Sequence, residues 1–271
     1  MGLLARLRRV VPYIGVAVGI VVLASPVIAD LIESLRAELT ISQTTTTLEH
    51  IEASRKDELL AQAHAYNDQL ATHSASSGIW PYERQLLVDT AEPMCWVHIP
   101  RIDVRLTVHH GTDDAALASG AGHLKGTSLP VGGASTHCAI SAHSGMPTAR
   151  MFDDLHDLAP GDVFIVWTLG DPYAYEVTGS EVVEPDDVSS LAIQPDEDLC
   201  TLITCTPYGV NSQRLLVHAK RCSYEDASKA EQPAMYVSPR LWPLVIGLVL
   251  AGGALAVTSW RVLRGRRKAD S

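Results

Sequence analysis

Thr201-Leu-Ile-Thr-Cys-Thr-Pro-Tyr208, running on through Gly-Val-Asn-Ser-Gln to Arg214-Leu-Leu-Val217, is the stretch from which the fold can be read. Residues 202–204 make a short apolar run suited to a buried strand. Pro207 cannot continue a central ladder, so the strand ends near Cys205. The Pro207-Tyr-Gly209 turn signal then leads into a second strand that opens just after Arg214. A turn through 207–211 pairs the two strands antiparallel and sets Cys205 and Arg214 facing one another at one rim. Neither residue is decisive alone, since most cysteines are inert core residues or disulfide halves and most lone arginines are surface ion-pair partners.

Working outward, further short β-rich runs appear at 95–99, 104–108, 139–141, 163–167, 174–177, 182–184 and 215–219. Turn chemistry separates them, at Pro130-Val-Gly-Gly133, Pro160-Gly-Asp162 and Gly170-Asp-Pro172. With 202–204 they number eight, the pattern of a mostly β barrel or sandwich. Residues 151–158 have a short helical period worth one or two turns. Ala139-Ile-Ser-Ala-His143-Ser-Gly145 is a strand running into a glycine turn, which gives His143 the same strand-end placement as Cys205.

Two apolar runs flank this region, 10–29 and 241–260, each with the roughly 20 residues that a helix needs to cross a bilayer. Arg6, Arg8 and Arg9 precede the first run, and Arg261, Arg264, Arg266, Arg267 and Lys268 follow the second. Basic flanks face the cytoplasm, so both tails, 1–9 and 261–271, are expected inside and the middle outside. A cleaved signal peptide is the alternative for the first run. Removing the eight tail cations leaves 13 basic against 30 acidic residues in 30–240, which disfavours nucleic acid as a partner. The basic tails suit anionic lipid.

Residues 30–93 read as an extracytoplasmic helical stalk, with Leu59, Leu60, Ala63, Tyr66 and Leu70 at helical spacing and an interruption expected at the β-branched run 44–47. A loop containing Trp80 and Tyr82 follows, and exposed loop aromatics often cover something. The β-rich domain is expected over 94–225, then a linker over 226–240. Five cysteines, at 95, 138, 200, 205 and 222, leave at least one thiol unpaired outside the cell. A Cys200–Cys222 bridge across adjacent strands is a geometric possibility. The Cys and His spacing has no zinc pattern, so no metal is expected.

Acyl transfer from a peptide needs a thiolate nucleophile, a proton donor for the departing amine and a stabiliser of the tetrahedral oxyanion. Cys205, His143 and Arg214 supply these three. A free thiol is mostly protonated at neutral pH, so a neighbouring cation or imidazolium matters.

The stretch TLITCTPYGVNSQRLLVHAKR (201–221) resembles the active-site signature of sortases, in particular the pilus-assembling class C. VHIPRIDVRLTVHHGT (97–112), GAGHLKGTSLPVGG (120–133), THCAISAHSGMP (136–147) and MFDDLHDLAPGDVF (151–164) extend the resemblance across the β-rich region. It implies a closed eight-stranded β-barrel, no cofactor, and Cys205, His143 and Arg214 as the catalytic three. It also implies cleavage of an LPXTG-like sorting signal between Thr and Gly, then transfer from a thioacyl intermediate to a lysine amine of a secreted pilin. A housekeeping sortase using a peptidoglycan amine is the alternative reading, and a non-enzymatic tethered scaffold a remote one. Thr204 and Tyr208, beside Cys205, are cleft candidates. Class C members carry a lid with an Asp-Pro-aromatic tip; the nearest counterpart, Ile79-Trp-Pro-Tyr82, lacks the Asp but offers Trp80 and Tyr82 as a plug over Cys205. Ser144 also departs from the family, where many relatives carry a basic residue after the histidine.

Overall fold

The computed structural model describes residues 2–74, 77–88, 93–146 and 149–230, with positions 246, 247, 249 and 253 beyond them. The chain divides into two units, one of Met1–Ile32 with Val237–Ser271 and one of Glu33–Tyr236. The second contains all eight strands: β1 Cys95–Ile99, β2 Val104–His110, β3 Ala121–His123, β4 Thr136–Ser141, β5 Val163–Thr168, β6 Asp171–Val183, β7 Asp198–Thr206 and β8 Gln213–Arg221. They close into a barrel in the order β1-β2-β3-β4-β7-β8-β6-β5. The β2–β3 and β4–β7 pairs are parallel and the others antiparallel.

Alternation along the strands fills the interior. In β1, Cys95, Val97 and Ile99 point inward, and they meet Val108, Ile140, Phe152, Phe164, Tyr175, Leu202 and Val217 in one core. On the outer side Trp96 and Trp167 stack across the β1–β5 pair with centroids 5.2 Å apart. A short helix, α4 (Tyr224–Ala230), seals the neighbouring outer face by packing Ala227 on Ile165 and Ala174.

Two expected strands, at 174–177 and 182–184, are one thirteen-residue strand, β6. A register shift between Val177 and Gly179 bends it, so one strand pairs with β5 at its start and with β8 along its length. The strand that sequence patterning misses is β3, whose Ala-Gly-His has no β-branched residue. Gly122 is required there by close approach: a Cβ would fall 2.1 Å from the Gly111 carbonyl oxygen.

Ahead of the barrel, α1 spans Gly2–Glu49 and α2 spans Ala53–Thr72; the short α3, Asp114–Ser119, follows β2. The interruption expected at 44–47 does not occur. Thr45, Thr46 and Thr47 each return a hydroxyl bond to the carbonyl four residues back, on Ile41, Ser42 and Gln43, which keeps these β-branched residues within the helix. The chain breaks instead at 50–52. From there α2 lies on the barrel, with Leu59 and Ala63 buried against Leu129, Val131 and Leu169. Asn67 fixes the contact by donating to the Leu129 carbonyl at 3.1 Å and accepting from its N–H at 2.7 Å.

Among the described residues one helix is long and apolar enough to cross a membrane, the Ile14–Glu49 portion of α1. The second expected span, 241–260, and the tail 261–271 lie outside the described residues apart from the four isolated positions.

Candidate active site

The β7–β8 pair brings Cys205 and Arg214 together as direct cross-strand partners. The link between the strands folds tightly because the N–H groups of Val210 and Asn211 both reach the Pro207 carbonyl, at 3.0 and 2.9 Å, with Asn211 in the left-handed region. Cys205 is half-buried, whereas Cys95, Cys138 and Cys200 are buried in the barrel. Burial pushes the Cys95 and Cys200 thiols well up, which makes them inert, and Cys200 donates a hydrogen bond to Cys138. All five cysteines are free, so the Cys200–Cys222 bridge is not formed; Cys200 lies opposite Ala219.

Arg214 Nη1 donates to the carbonyls of Asn211, at 3.3 Å, and Gln213, at 3.0 Å. These bonds hold the guanidinium at the rim. Among the described residues it has no carboxylate partner, so its remaining donors are available to an anion.

His143 follows the parallel partner strand. The β4–β7 pairing ends at Ser141 opposite Ile203, and Ala142 N–H extends it by one bond to the Ile203 carbonyl. Three further contacts clamp the histidine segment beside Cys205. Thr204 Oγ1 donates to the Ala142 carbonyl at 2.9 Å, and Ser144 Oγ donates to the Cys205 carbonyl at 2.5 Å. Gly145 N–H donates to Asp153 Oδ1 at 2.7 Å. Phe152 N–H donates to the His143 carbonyl at 3.1 Å, while Arg150 pairs with Asp154 at 2.5 Å and donates to the Ile102 carbonyl. The histidine loop passes close to the β7–β8 turn: a Cβ on Gly145 would stand 3.4 Å from the Gly209 nitrogen.

The residues expected by sequence thus divide. Cys205, His143 and Arg214 converge on one end of β7. Tyr208 is an exposed residue of the same rim, at 61% exposure. Thr204 is buried and acts through the Ala142 carbonyl, so it positions the histidine segment and does not line an open cleft. Trp80 and Tyr82 are elsewhere. Tyr82 is buried with Leu59, Leu86 and Met94, and its hydroxyl bonds the His123 carbonyl and ring Nδ1, both at 3.0 Å, and accepts from Gly111 N–H at 2.9 Å. Burial pushes its phenol well up, so it stays neutral. Trp80 lies under the guanidinium groups of Arg84 and Arg55, 4.4 and 5.2 Å from its centroid. For Tyr82 the expected plug over Cys205 is therefore corrected: apolar burial and three hydrogen bonds hold it beneath α2. Sequence reasoning missed Ser144 and Asp153 as anchors; a hydroxyl and an acid flanking a strand-end histidine were the available signal.

No group of three His, Cys, Asp or Glu side chains able to hold a metal ion occurs among the described residues.

A sortase domain family matches residues 97–222. Among solved structures the chain is similar to sortase C1 of Streptococcus agalactiae, 36% identical over 71% of this chain and 99% of that one, with a TM-score of 0.65. It is also similar to Clostridium perfringens sortase C determined with the C-terminal cell wall sorting motif, 36% identical over 68% and 98%, TM-score 0.62. Sortase D of Bacillus subtilis (strain 168) is 26% identical over 49% of this chain and 66% of its own length, and sortase A of Bacillus anthracis is 28% identical over 45% and 56%. The chain thus spans somewhat under two thirds of these two curated relatives. The barrel, the matching domain and the two sortase C structures define the class: the chain belongs to the sortase family.

Proposed function

We propose that this sortase is a membrane-held cysteine transpeptidase of the pilus-assembling class, acting on secreted pilins that carry an LPXTG-like sorting signal. The observation that carries the proposal is the in-register Cys205–Arg214 pair with the His143 segment tied to the Cys205 carbonyl by Ser144. The Cys205 thiolate attacks the threonine carbonyl. Arg214 donates to the resulting oxyanion, and His143 gives a proton to the glycine nitrogen as the Thr–Gly bond breaks. A thioester on Cys205 remains. A pilin lysine amine then attacks it, losing a proton to His143, and formation of the isopeptide bond breaks the C–S bond and releases the Cys205 thiolate.

The outer face next to Cys205 supports the substrate class. Ile203 and Leu216, the cross-strand pair just below Cys205–Arg214, cluster with Ala139 and Leu191, and half-buried Leu124 and Val183 form the edge of this apolar layer. The leucine and proline of the signal pack there. The similarity to sortase C structures supports the pilus reading. The apolar part of α1 is the membrane anchor, and the catalytic domain and its pilin partners stand outside the cell.

The test is Cys205→Ala in cells making a pilin with a sorting signal: high-mass pilin ladders disappear. Persistence of the ladders overturns the proposal. Mass spectrometry of the product then identifies the acceptor, and a peptidoglycan amine in place of lysine would assign the housekeeping role.

A further inference from the structure

Beyond the apolar layer, the same outer face opens into a polar cavity of about 410 Å³ lined by His137, Thr201, His218, Lys220, Ser190 and Gln194 among others. Cys205, Ile203 and Thr201 alternate along one side of β7, and their partners Arg214, Leu216 and His218 do so along β8. The face therefore reads, from the rim downward, as a catalytic pair, an apolar pair and a polar pair. The loop between β6 and β7 supplies Leu191 to the apolar layer and Ser190 and Gln194 to the polar one.

The polar layer is built. His137 Nδ1 meets the Ala192 carbonyl at 3.1 Å, which makes that nitrogen the donor. His137 is 2% exposed and burial lowers its basicity, so its Nε2 carries no proton and accepts from Thr201 Oγ1 at 2.7 Å. The threonine has then used its only hydrogen, and His218 Nδ1 must donate to it at 2.9 Å. His218 Nε2 in turn meets a Glu181 carboxylate oxygen at 3.0 Å. The chain of bonds holds His218 between Thr201 and Glu181. Lys220, two residues along β8, pairs with Glu197 at 2.5 Å. Hydrogen-bonding groups thus line the cavity: the His218 imidazole, the Lys220 ammonium with its Glu197 carboxylate partner, and the Ser190 and Gln194 side chains, which donate and accept.

We propose that this cavity is a subsite for the residues immediately N-terminal to the sorting motif, and that it takes polar side chains that hydrogen-bond. The inference rests on the substrate reading above. The apolar layer sets the direction of the peptide, because the motif's leucine and proline precede its threonine. With threonine at Cys205, the chain upstream must run down the face towards Thr201. Thr201 lies four residue steps before Cys205, about 13 Å along the strand. Four residues of extended peptide cover about the same distance, which brings the residue preceding the motif's leucine level with the cavity.

The experiment uses the full-length protein in detergent and three peptides: the motif beginning at its leucine, the same motif extended upstream by Gln-Gln, and by Leu-Leu. Release of the glycine fragment is followed for wild type, Gln194→Trp, which fills the cavity from an exposed loop position, and Lys220→Ala. The Gln-Gln peptide is expected to show kcat/KM about fivefold above the short motif through a lower KM, the worth of about one net hydrogen bond. The Leu-Leu peptide shows no gain. Gln194→Trp abolishes the gain and leaves the short motif unchanged, and Lys220→Ala reduces the gain. Equal rates for all three peptides in wild type, or an equal gain with Leu-Leu, overturn the subsite while leaving the catalytic reading intact. A general loss in Gln194→Trp that Lys220→Ala does not share assigns the effect to folding, and the subsite then stands or falls on the wild-type peptide series and Lys220→Ala. Failure to cleave even the short motif overturns the substrate reading and the subsite with it.

Discussion

Cys205 differs from the other four thiols through its neighbours. Cys95, Cys138 and Cys200 sit in the barrel core, and burial holds Cys95 and Cys200 in the thiol form. Brief treatment of native protein with a thiol-reactive probe should therefore modify Cys205 first, with half-buried Cys222 behind it because burial also raises its thiol. Peptide mapping checks the order, and rapid labelling of Cys138 or Cys200 would contradict this placement. Arg214→Lys keeps the charge but replaces a planar fork with a single ammonium. Turnover of a sorting-signal peptide should fall by about 10²-fold or more, the usual consequence of losing an oxyanion donor, with little change in melting temperature. Ser144 acts at one remove, through its bond to the Cys205 carbonyl. Ser144→Ala should reduce kcat about tenfold, with KM nearly unchanged, while Ser144→Thr, which keeps the hydroxyl, retains most activity; equal losses in both variants would mean that the bond does not position His143. That Cys205, His143 and Arg214 meet at one rim was legible because each stands at a strand end near a proline or glycine. Ser144 was not, since its role depends on a carbonyl 61 residues away.

At the scale of elements, the decisive segment is 77–88 with α2. A loop holding Trp80 and Tyr82 reads in sequence as a cover, because nothing local shows what the aromatics meet. In the fold, α2 and the loop make a second small core with Leu129, Val131 and Leu169. Tyr82→Phe would leave Gly111 N–H without its partner in a half-buried site, a cost of about 1–2 kcal/mol, read as a melting shift of about 2–8 °C for a domain of this size. Tyr82→Ala should cost more, about 3–5 kcal/mol, by leaving a cavity. Neither variant should change the probe-labelling rate of Cys205 below the melting transition. Faster labelling in Tyr82→Ala while the barrel remains folded would restore the lid. The helical spacing of Leu59 and Ala63 announced α2 correctly, whereas the threonine run misled: propensity disfavours 44–47, yet bonds to carbonyls four residues back keep α1 continuous to Glu49.

For the whole molecule, seven of the eight strands were readable from alternation and turns, with β6 read as two runs and β3 missed, but closure was not, because β4–β7 joins strands distant in sequence and both β4–β7 and β2–β3 run parallel. Closure matters for function: it places the histidine strand beside the cysteine strand, and the cysteine strand beside the arginine strand, with no gap for slippage. All of that lies within Glu33–Tyr236, the unit that also contains α2 and the small second core. The apolar part of α1 contributes none of the site residues. On the proposed function, peptide cleavage and pilin assembly should therefore separate. A protein limited to residues 33–236 should keep the cooperative melt of the barrel and cleave a soluble sorting-signal peptide within about threefold of the full chain in detergent. Expressed in cells with a secretion signal, it should nonetheless make far fewer pilin ladders, because a membrane anchor confines enzyme and pilin to one surface and raises their effective concentration, commonly to the millimolar range for short tethers. Ladders at wild-type levels from the shortened protein would show that anchoring has no part in assembly. Loss of peptide cleavage with an intact melt would mean that the site draws on residues outside 33–236, contrary to the contacts that build it here.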